Sequence, residues 1–134
     1  MPEGAKVIIR YAHAKALLKG YTRDFSPNRP DFHLVPADAG DGAEPVKVLL
    51  KDLKAIFFVR DFAGNRAYTE RDEFEGRPPG RKLEVTFTDG EVMVGSTLGF
   101  DPQRPGFFLF PADNQTNNQR VFVVSAAVKT ARPL

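Results

Sequence analysis

Two segments of this chain, 75 residues apart, carry nearly the same pattern of phenylalanine, proline, arginine and glycine. Residues 20–38 read GYTRDFSPNRPDFHLVPAD and residues 95–113 read GSTLGFDPQRPGFFLFPAD, which gives 11 identities in 19 positions. Unrelated segments of ordinary composition would share about one or two. The chain is therefore an internal duplication, and its fold has to be one that a small unit can adopt twice.

The duplication extends beyond these windows in both directions. At the same offset apolar residues continue to match: Val46 with Val121, Val48 with Val123, and Leu53 with Val128. Upstream, residues 6–20 match residues 82–95 if one extra residue of the first copy lies in a turn, where it leaves the strand register intact. We therefore predict a first unit over 1–60, a charged connecting segment over 61–81 and a second unit over 82–134. Because so small a unit is marginal alone, we expect the two to pack as a pseudo-dimer.

Both units have the signals of β-strands. Leu83, Val85 and Phe87 alternate with polar residues, which is typical of a half-buried strand, and Asp89-Gly90 is a favoured hairpin turn. The same signals predict an all-β protein with ten strands, at 7–11, 16–22, 32–35, 47–50, 54–59, 82–87, 91–97, 107–110, 121–124 and 128–131.

Two of these stretches resemble known small β-barrels. The hairpin EVTFTDGEVMVGSTLGFD resembles the first hairpin of Sm-like proteins, and VLLKDLKAIFFV resembles the last two strands of SH3-like barrels. The resemblance implies two tandem barrels, each with one 3₁₀ turn before its last strand, and closure would remove exposed sheet edges. As a whole the chain is similar to a bacterial family of uncharacterised small domains with an Arg-Pro-x-Phe loop, which brings no known activity with it.

Composition limits the compartment and the partners. The chain has no cysteine, which excludes disulfides and thiolate chemistry and leads us to expect a reducing cytoplasm. No apolar segment suits a signal peptide or a membrane span. The net charge of +2 is too small for the dense basic field of a strong nucleic-acid binder. We expect a monomer or a homodimer.

The repeated loop F-x-P-x-R-P-x-F, at residues 25–32 and 100–107, is the best candidate site. Its prolines rigidify the backbone and so present the intervening polar residue and the arginine at low entropic cost. An arginine held in this way suits a carboxylate, a phosphate or a partner's carbonyl groups. The predicted binding residues are Asn28, Arg29, Gln103 and Arg104. The structural alternative is that the prolines shape a turn and each arginine pairs with Asp24 or Asp101.

The residues that enzymes need are scarce. The chain has two histidines and no GxSxG motif, and the second copy has Phe108 where the first has His33. No histidine and carboxylate spacing suits a metal. We predict no catalytic residue, metal site or cofactor, and a non-enzymatic cytoplasmic binding or adaptor module that recognises a protein through its two Pro-Arg-Pro loops.

Nucleic acid is the first alternative partner. Sm-like and SH3-like barrels often bind single strands such as RNA through aromatic and basic loops, and Tyr21 and Arg23 would belong to such a face in the first copy. The second copy replaces them with Ser96 and Leu98, which removes both features.

A cyclic dinucleotide is the second alternative. The RxxxR sequence at residues 77–81 and Ser96-Thr97-Leu98-Gly99 resemble, in that order, the cyclic di-GMP motif of PilZ domains. That family has an acidic residue or asparagine where this chain has Val94, and the spacing from Arg81 to Ser96 is short for it.

Overall fold

A computed structural model describes residues 4–38, 44–62, 80–101, 103–113 and 116–134 of the chain. Its regular elements are ten strands and two 3₁₀ turns, one turn before the last strand of each repeat. The first repeat contains β1 (Ala5–Tyr11), β2 (Leu17–Thr22), β3 (Asp31–Pro36), β4 (Val46–Leu49), the turn Leu50–Asp52 and β5 (Leu53–Val59). The second contains β6 (Arg81–Phe87), β7 (Val92–Thr97), β8 (Gly106–Pro111), β9 (Asn118–Val124), the turn Ser125–Ala127 and β10 (Val128–Pro133).

All ten strands belong to one antiparallel sheet. The strand order is β10-β6-β7-β8-β9-β5-β1-β2-β3-β4, so each repeat has the same internal order of fifth, first, second, third and fourth strand. The two repeats are joined head to tail where β9 pairs with β5, with Ile56 opposite Phe122 and Phe57 opposite Val121. Among the described residues β10 and β4 are the end strands of the sheet.

The prediction of an all-β protein is confirmed, and every predicted strand overlaps an observed one. The two closed tandem barrels are not confirmed, because the described residues form a single open sheet. The reason is the junction: the fourth strand of the second repeat pairs with the fifth strand of the first, so the two units share strands in one sheet. The sequence of residues 67–74 predicts two helical turns with Tyr68 and Phe74 as anchors, and this segment lies outside the described residues.

The hydrophobic residues form two cores separated by β5 and β9. Along β5, Ile56 and Phe58 pack into the first core while Phe57 and Val59 pack into the second. Phe122 and Val123 of β9 divide in the same way. A strand that is buried on both faces needs a continuous run of apolar residues, and AIFFV in β5 and VFVV in β9 provide it. These two strands therefore act as one wall that both repeats share.

Two repeated glycines have a packing reason. A Cβ atom at Gly20 would collide with the carbonyl oxygen of Val35, and one at Gly95 with that of Phe110. Only glycine allows the second and third strands of each repeat to approach this closely. The identity of these positions in both copies therefore concerns the sheet.

Candidate functional site

The two repeated loops have the same backbone turn. The N–H of Arg29 donates to the carbonyl of Ser26, and the N–H of Arg104 donates to the carbonyl of Asp101, each at 3.1 Å. The side chains of Ser26 and Asp101 also accept from the N–H groups of Asn28 (3.3 Å) and Gln103 (2.9 Å). Short polar side chains commonly cap turns in this way, so Ser26 and Asp101 are equivalent turn formers.

Each loop is fastened to the 3₁₀ turn of its own repeat. The N–H of Leu50 donates to the carbonyl of Pro30 at 2.9 Å, and the N–H of Ser125 donates to the carbonyl of Pro105 at 2.8 Å. The loop and the turn that follows β4 or β9 are therefore linked by a backbone hydrogen bond in both copies. This contact was not foreseen from the sequence, because it joins segments about 20 residues apart.

A groove of about 660 Å³ lies between the loop and 3₁₀ turn of the first repeat and those of the second, and residues of both repeats line it. Its lining is mainly apolar, and its chemically distinctive residues are Asp31 and Lys51 from the first repeat and Gln103 and Arg104 from the second. The remaining lining residues are Pro30, Leu49, Leu50, Pro105, Val124, Ser125 and Ala126. The two copies of the loop thus lie on a single groove.

The groove has a cationic rim. The side chain of Arg104 is 76% exposed, and its Nε lies 4.0 Å from Asp101 Oδ2, so the guanidinium is available to a ligand. Asp31 brings one carboxylate, which is already close to two cations: its oxygens lie 3.6 Å from Lys47 Nζ and 3.9 Å from Arg29 Nη2. The rim therefore favours an anionic group beside an apolar floor.

The structure does not bring the six predicted binding residues together. Gln103 and Arg104 line the groove, whereas Asn28 and Arg29 are exposed on the first loop and do not line it. The predicted pairing of Arg104 with Asp101 is a loose contact at 4.0 Å, and Arg29 lies 3.9 Å from Asp31. The second copy of the loop is thus the one whose arginine faces the shared space.

Tyr21 and Arg23 lie apart from the groove, on and just after β2. The ring of Tyr21 packs edge-on against Phe62, with centroids 5.2 Å apart, and Lys19 Nζ donates to the carbonyl of Phe62 at 2.9 Å. Arg23 is exposed. Tyr21 therefore anchors the start of the 61–81 segment against the first repeat.

His33 and Asp24 form a contact that the sequence did not indicate. Both the backbone N–H (2.9 Å) and the ring Nδ1 (2.8 Å) of His33 bond to the carboxylate of Asp24. Burial raises the pKa of Asp24, but these hydrogen bonds outweigh it and leave the pKa below its ordinary value. The pair ties the first loop to β3, and the second copy, with Gly99 and Phe108, does not have it.

The geometry bears on two other kinds of ligand, a metal ion and a cyclic dinucleotide. No group of three or more His, Cys, Asp or Glu residues among the described ranges is arranged to hold a metal ion. Of the RxxxR sequence, residues 77–79 lie outside the described residues. Ser96, the serine of the PilZ-like motif, is 1% exposed and so is not placed to contact a ligand.

Within the described part of the chain, no helix has the length and apolar character needed to cross a membrane.

Comparisons with known proteins place the chain among proteins whose role is not established. No curated protein and no solved structure matches it. The profile of DUF6982, a family of unknown function, matches residues 3–134, which is nearly the whole chain. The chain with its duplicated Arg-Pro-x-Phe loop therefore belongs to the family of unknown function DUF6982.

Proposed function

We propose that this protein is a non-enzymatic recognition module whose shared groove binds an extended segment of a partner protein. The observation that supports it is the convergence of both Pro-Arg-Pro loops and both 3₁₀ turns on one groove of about 660 Å³. Ligand sites are typically concave and mainly apolar, with a few polar groups that fix orientation. Here Gln103, Arg104, Lys51 and Asp31 are those groups.

The loop chemistry favours a protein ligand with an acidic residue. The hydrogen bonds from Leu50 to Pro30 and from Ser125 to Pro105 hold both loops in place before any ligand arrives. Binding to a preformed groove costs less ordering entropy than binding to a mobile one. An apolar side chain would contact the floor, and a carboxylate would pair with Arg104.

The finer description of the fold belongs to the same proposal. We infer that each repeat is a five-stranded unit of the SH3-like or Sm-like type, on the basis of the shared strand order and the 3₁₀ turn before each last strand. We also assign the protein to the cytoplasm, because the sequence has no cysteine, and to a bacterium, because of its resemblance to a bacterial family.

The test starts from a random-peptide library displayed on phage and selected against the full chain. The affinities of selected peptides are then measured by fluorescence anisotropy for wild type and two matched variants, Arg104→Ala and Arg29→Ala. Loss of a charge-assisted hydrogen bond corresponds to roughly a tenfold or greater loss of affinity, so Arg104→Ala should weaken binding by that factor. Arg29→Ala removes the equivalent arginine outside the groove and should change affinity by less than about twofold.

A third variant, Ala126→Trp, fills the groove and should abolish binding without unfolding the chain, as circular dichroism would show. Equal effects of the two arginine variants, or full binding by Ala126→Trp, would contradict the assignment of the site. A mobility shift with single-stranded RNA that disappears between low and moderate salt would instead support the nucleic-acid alternative.

A further inference from the structure

β10 occupies in the second repeat the position that β5 occupies in the first, but only β5 has a neighbouring strand on both sides among the described residues. β5 pairs with β1 on one side and with β9 on the other, whereas among the described residues its counterpart β10 pairs with β6 alone. The N–H of Leu134 donates to the carbonyl of Lys82. Because backbone groups alternate in direction along an antiparallel strand, those of Ala131 point away from β6 toward the open edge.

Beside this edge lies a small cavity that corresponds to a filled position in the first repeat. It measures about 200 Å³ and is lined by Phe100, Phe107, Ser125 and residues 128–131. In the first repeat Phe25, the counterpart of Phe100, packs against Phe122 of the neighbouring repeat at 5.0 Å. Phe122 is fully buried, whereas Phe100 remains 36% exposed. This cavity, the aromatic socket, therefore corresponds to the position that the ring of Phe122 fills at the internal junction.

A lysine at the same junction differs between the two repeats in a similar way. Lys54 Nζ lies 2.7 Å from both Asp89 Oδ2 and Glu91 Oε1, which belong to the hairpin of the neighbouring repeat. Lys129 is the counterpart of Lys54 and is exposed on β10. A partner whose strand paired with β10 could therefore place a carboxylate near Lys129 from a neighbouring hairpin turn.

A second copy of this chain does not fit the edge. By the repeat offset, its β4 would place Lys47 where Phe122 lies in the internal junction, and its β3 would place His33 where Phe108 lies. Lys47 is in addition 3.6 Å from Asp31 of its own repeat. Its first hairpin turn, residues 12–16, reads AHAKA and contains no carboxylate for Lys129.

We propose that β10 binds, by strand addition, an extended segment of a different protein. The segment carries an aromatic side chain opposite Ala131, which enters the socket beside Phe100. A carboxylate for Lys129 would come from a neighbouring turn of the same partner, as Asp89 and Glu91 do for Lys54. The ladder is short, because Pro133 is the next residue that faces the edge and has no N–H to donate. This surface is separate from the groove between the loops and does not depend on the function proposed for it.

The probe is a synthetic peptide with the sequence of residues 118–125, NQRVFVVS, which already forms the equivalent junction inside the chain. Its matched control carries Lys in place of Phe122. Binding to the full chain is followed by ¹⁵N–¹H NMR titration. We expect shifts at β10 and around Phe100, and an affinity for the control peptide that is about tenfold lower or weaker still, as burial of one phenylalanine ring requires.

Two variants of the protein locate the contact. Phe100→Ala should lower the affinity for the peptide by a similar factor. Ala131→Pro should abolish binding, because it removes the outward N–H but no bond to β6. Circular dichroism shows whether each variant is folded. Equal binding of both peptides, shifts confined to other strands, or unchanged binding by folded Ala131→Pro would overturn the proposal. So would self-association of the wild type that Ala131→Pro abolishes in sedimentation experiments, because the edge would then serve a second copy.

Discussion

β5 and β10 occupy the same position in the two repeats, yet one lies at the centre of the molecule and the other at its end. All seven residues of β5 are buried, whereas the residues of β10 are exposed or half-buried. At the repeat offset Ile56, Phe57 and Phe58 correspond to Ala131, Arg132 and Pro133. The comparison shows that burial and residue type follow position in the sheet and not position in the repeat.

β9, which pairs with β5, and its counterpart β4, which ends the sheet, differ in the same way. Phe122 of β9 is fully buried against β5, while its counterpart Lys47 is exposed on β4. Arg120 of β9, whose guanidinium lies 4.3 Å from the ring centroid of Phe58, corresponds to Pro45. Lysine and proline at the ends of a sheet prevent indiscriminate strand pairing. The sheet thus has one apolar junction, an end strand β4 protected by Lys47 and Pro45, and an end strand β10 on which Pro133 leaves only a short edge for pairing.

The largest expected effect on the free energy of unfolding comes from shortening a side chain in the wall formed by β5 and β9. Phe122→Ala removes a fully buried ring that contacts Phe25 and Phe108, and it should lower the free energy of unfolding by about 3–5 kcal/mol. Urea denaturation followed by circular dichroism measures it. The matched variant Lys47→Ala, at the equivalent position of β4, should stay within about 1 kcal/mol of wild type. Similar losses from both would contradict the division into wall and edge.

The cross-repeat ion cluster gives the next largest effect, and it should be asymmetric. The side chain of Lys54 is 8% exposed, whereas Asp89 and Glu91 are about half exposed. Removing both carboxylates in Asp89→Asn/Glu91→Gln leaves a buried, unpaired cation and should cost about 2–4 kcal/mol. Lys54→Met leaves only solvated carboxylates and should cost about 1 kcal/mol.

The control for this cluster is Lys129→Met on β10, which should change stability by less than about 0.5 kcal/mol. All variants are compared by urea denaturation at neutral pH. A larger loss in Lys54→Met than in the double carboxylate variant would show that the lysine stem, and not its charge, carries the interaction.

The same cluster predicts a modest pH dependence. The hydrogen bonds from Lys54 Nζ and from the N–H of Glu91 hold the pKa of Asp89 below its ordinary value. A carboxyl group with a lower pKa in the folded state stabilises the fold above the unfolded pKa, and this contribution is lost as pH falls through the folded value. Stability measured from pH 6 down to pH 2 should therefore fall on the acid side, below about pH 4.

Lys54→Met is the comparison for the pH series. Without the lysine the pKa of Asp89 returns toward its ordinary value, and the acid decline should become shallower. An identical decline in both proteins would assign it to other carboxyl groups, of which Asp24, with its pKa lowered by His33, is the first to examine.

The strands and turns could be predicted from the sequence because they depend on local signals. Alternating apolar residues, Asp89-Gly90 with Gly90 at φ 93°, and the polar turns before β5 and β10 each report on a few neighbouring residues. The repeat offset then doubled every signal. Lys51-Asp52 and residues 125–127 lie in the 3₁₀ turns that the barrel resemblance implied.

The junction and the groove were beyond prediction because they depend on which strand edges meet. The run LKAIFFV indicates burial on both faces but does not name the partner of β5, which is β9 from the other repeat. Arg29 and Arg104 follow the same Pro-x-Arg-Pro pattern, yet only Arg104 lines the groove. Judged by charge and spacing alone, Arg29 and Arg104 are equivalent.

The smallest expected effect on stability, and the sharpest test of the comparison, comes from rebuilding the lost junction. Lys47→Phe and His33→Phe restore on the first repeat the aromatic residues of β9 and β8, and Pro133→Val restores an N–H on β10. All three residues are exposed, so stability should change by no more than about 1 kcal/mol. The triple variant should nevertheless form head-to-tail oligomers, since a heterologous contact propagates from one copy to the next. Sedimentation velocity over a range of concentrations measures this. If the variant stays as monomeric as wild type, these residues are not what limits the sheet to ten strands, and the absence of carboxylates opposite Lys129 becomes the next barrier to remove.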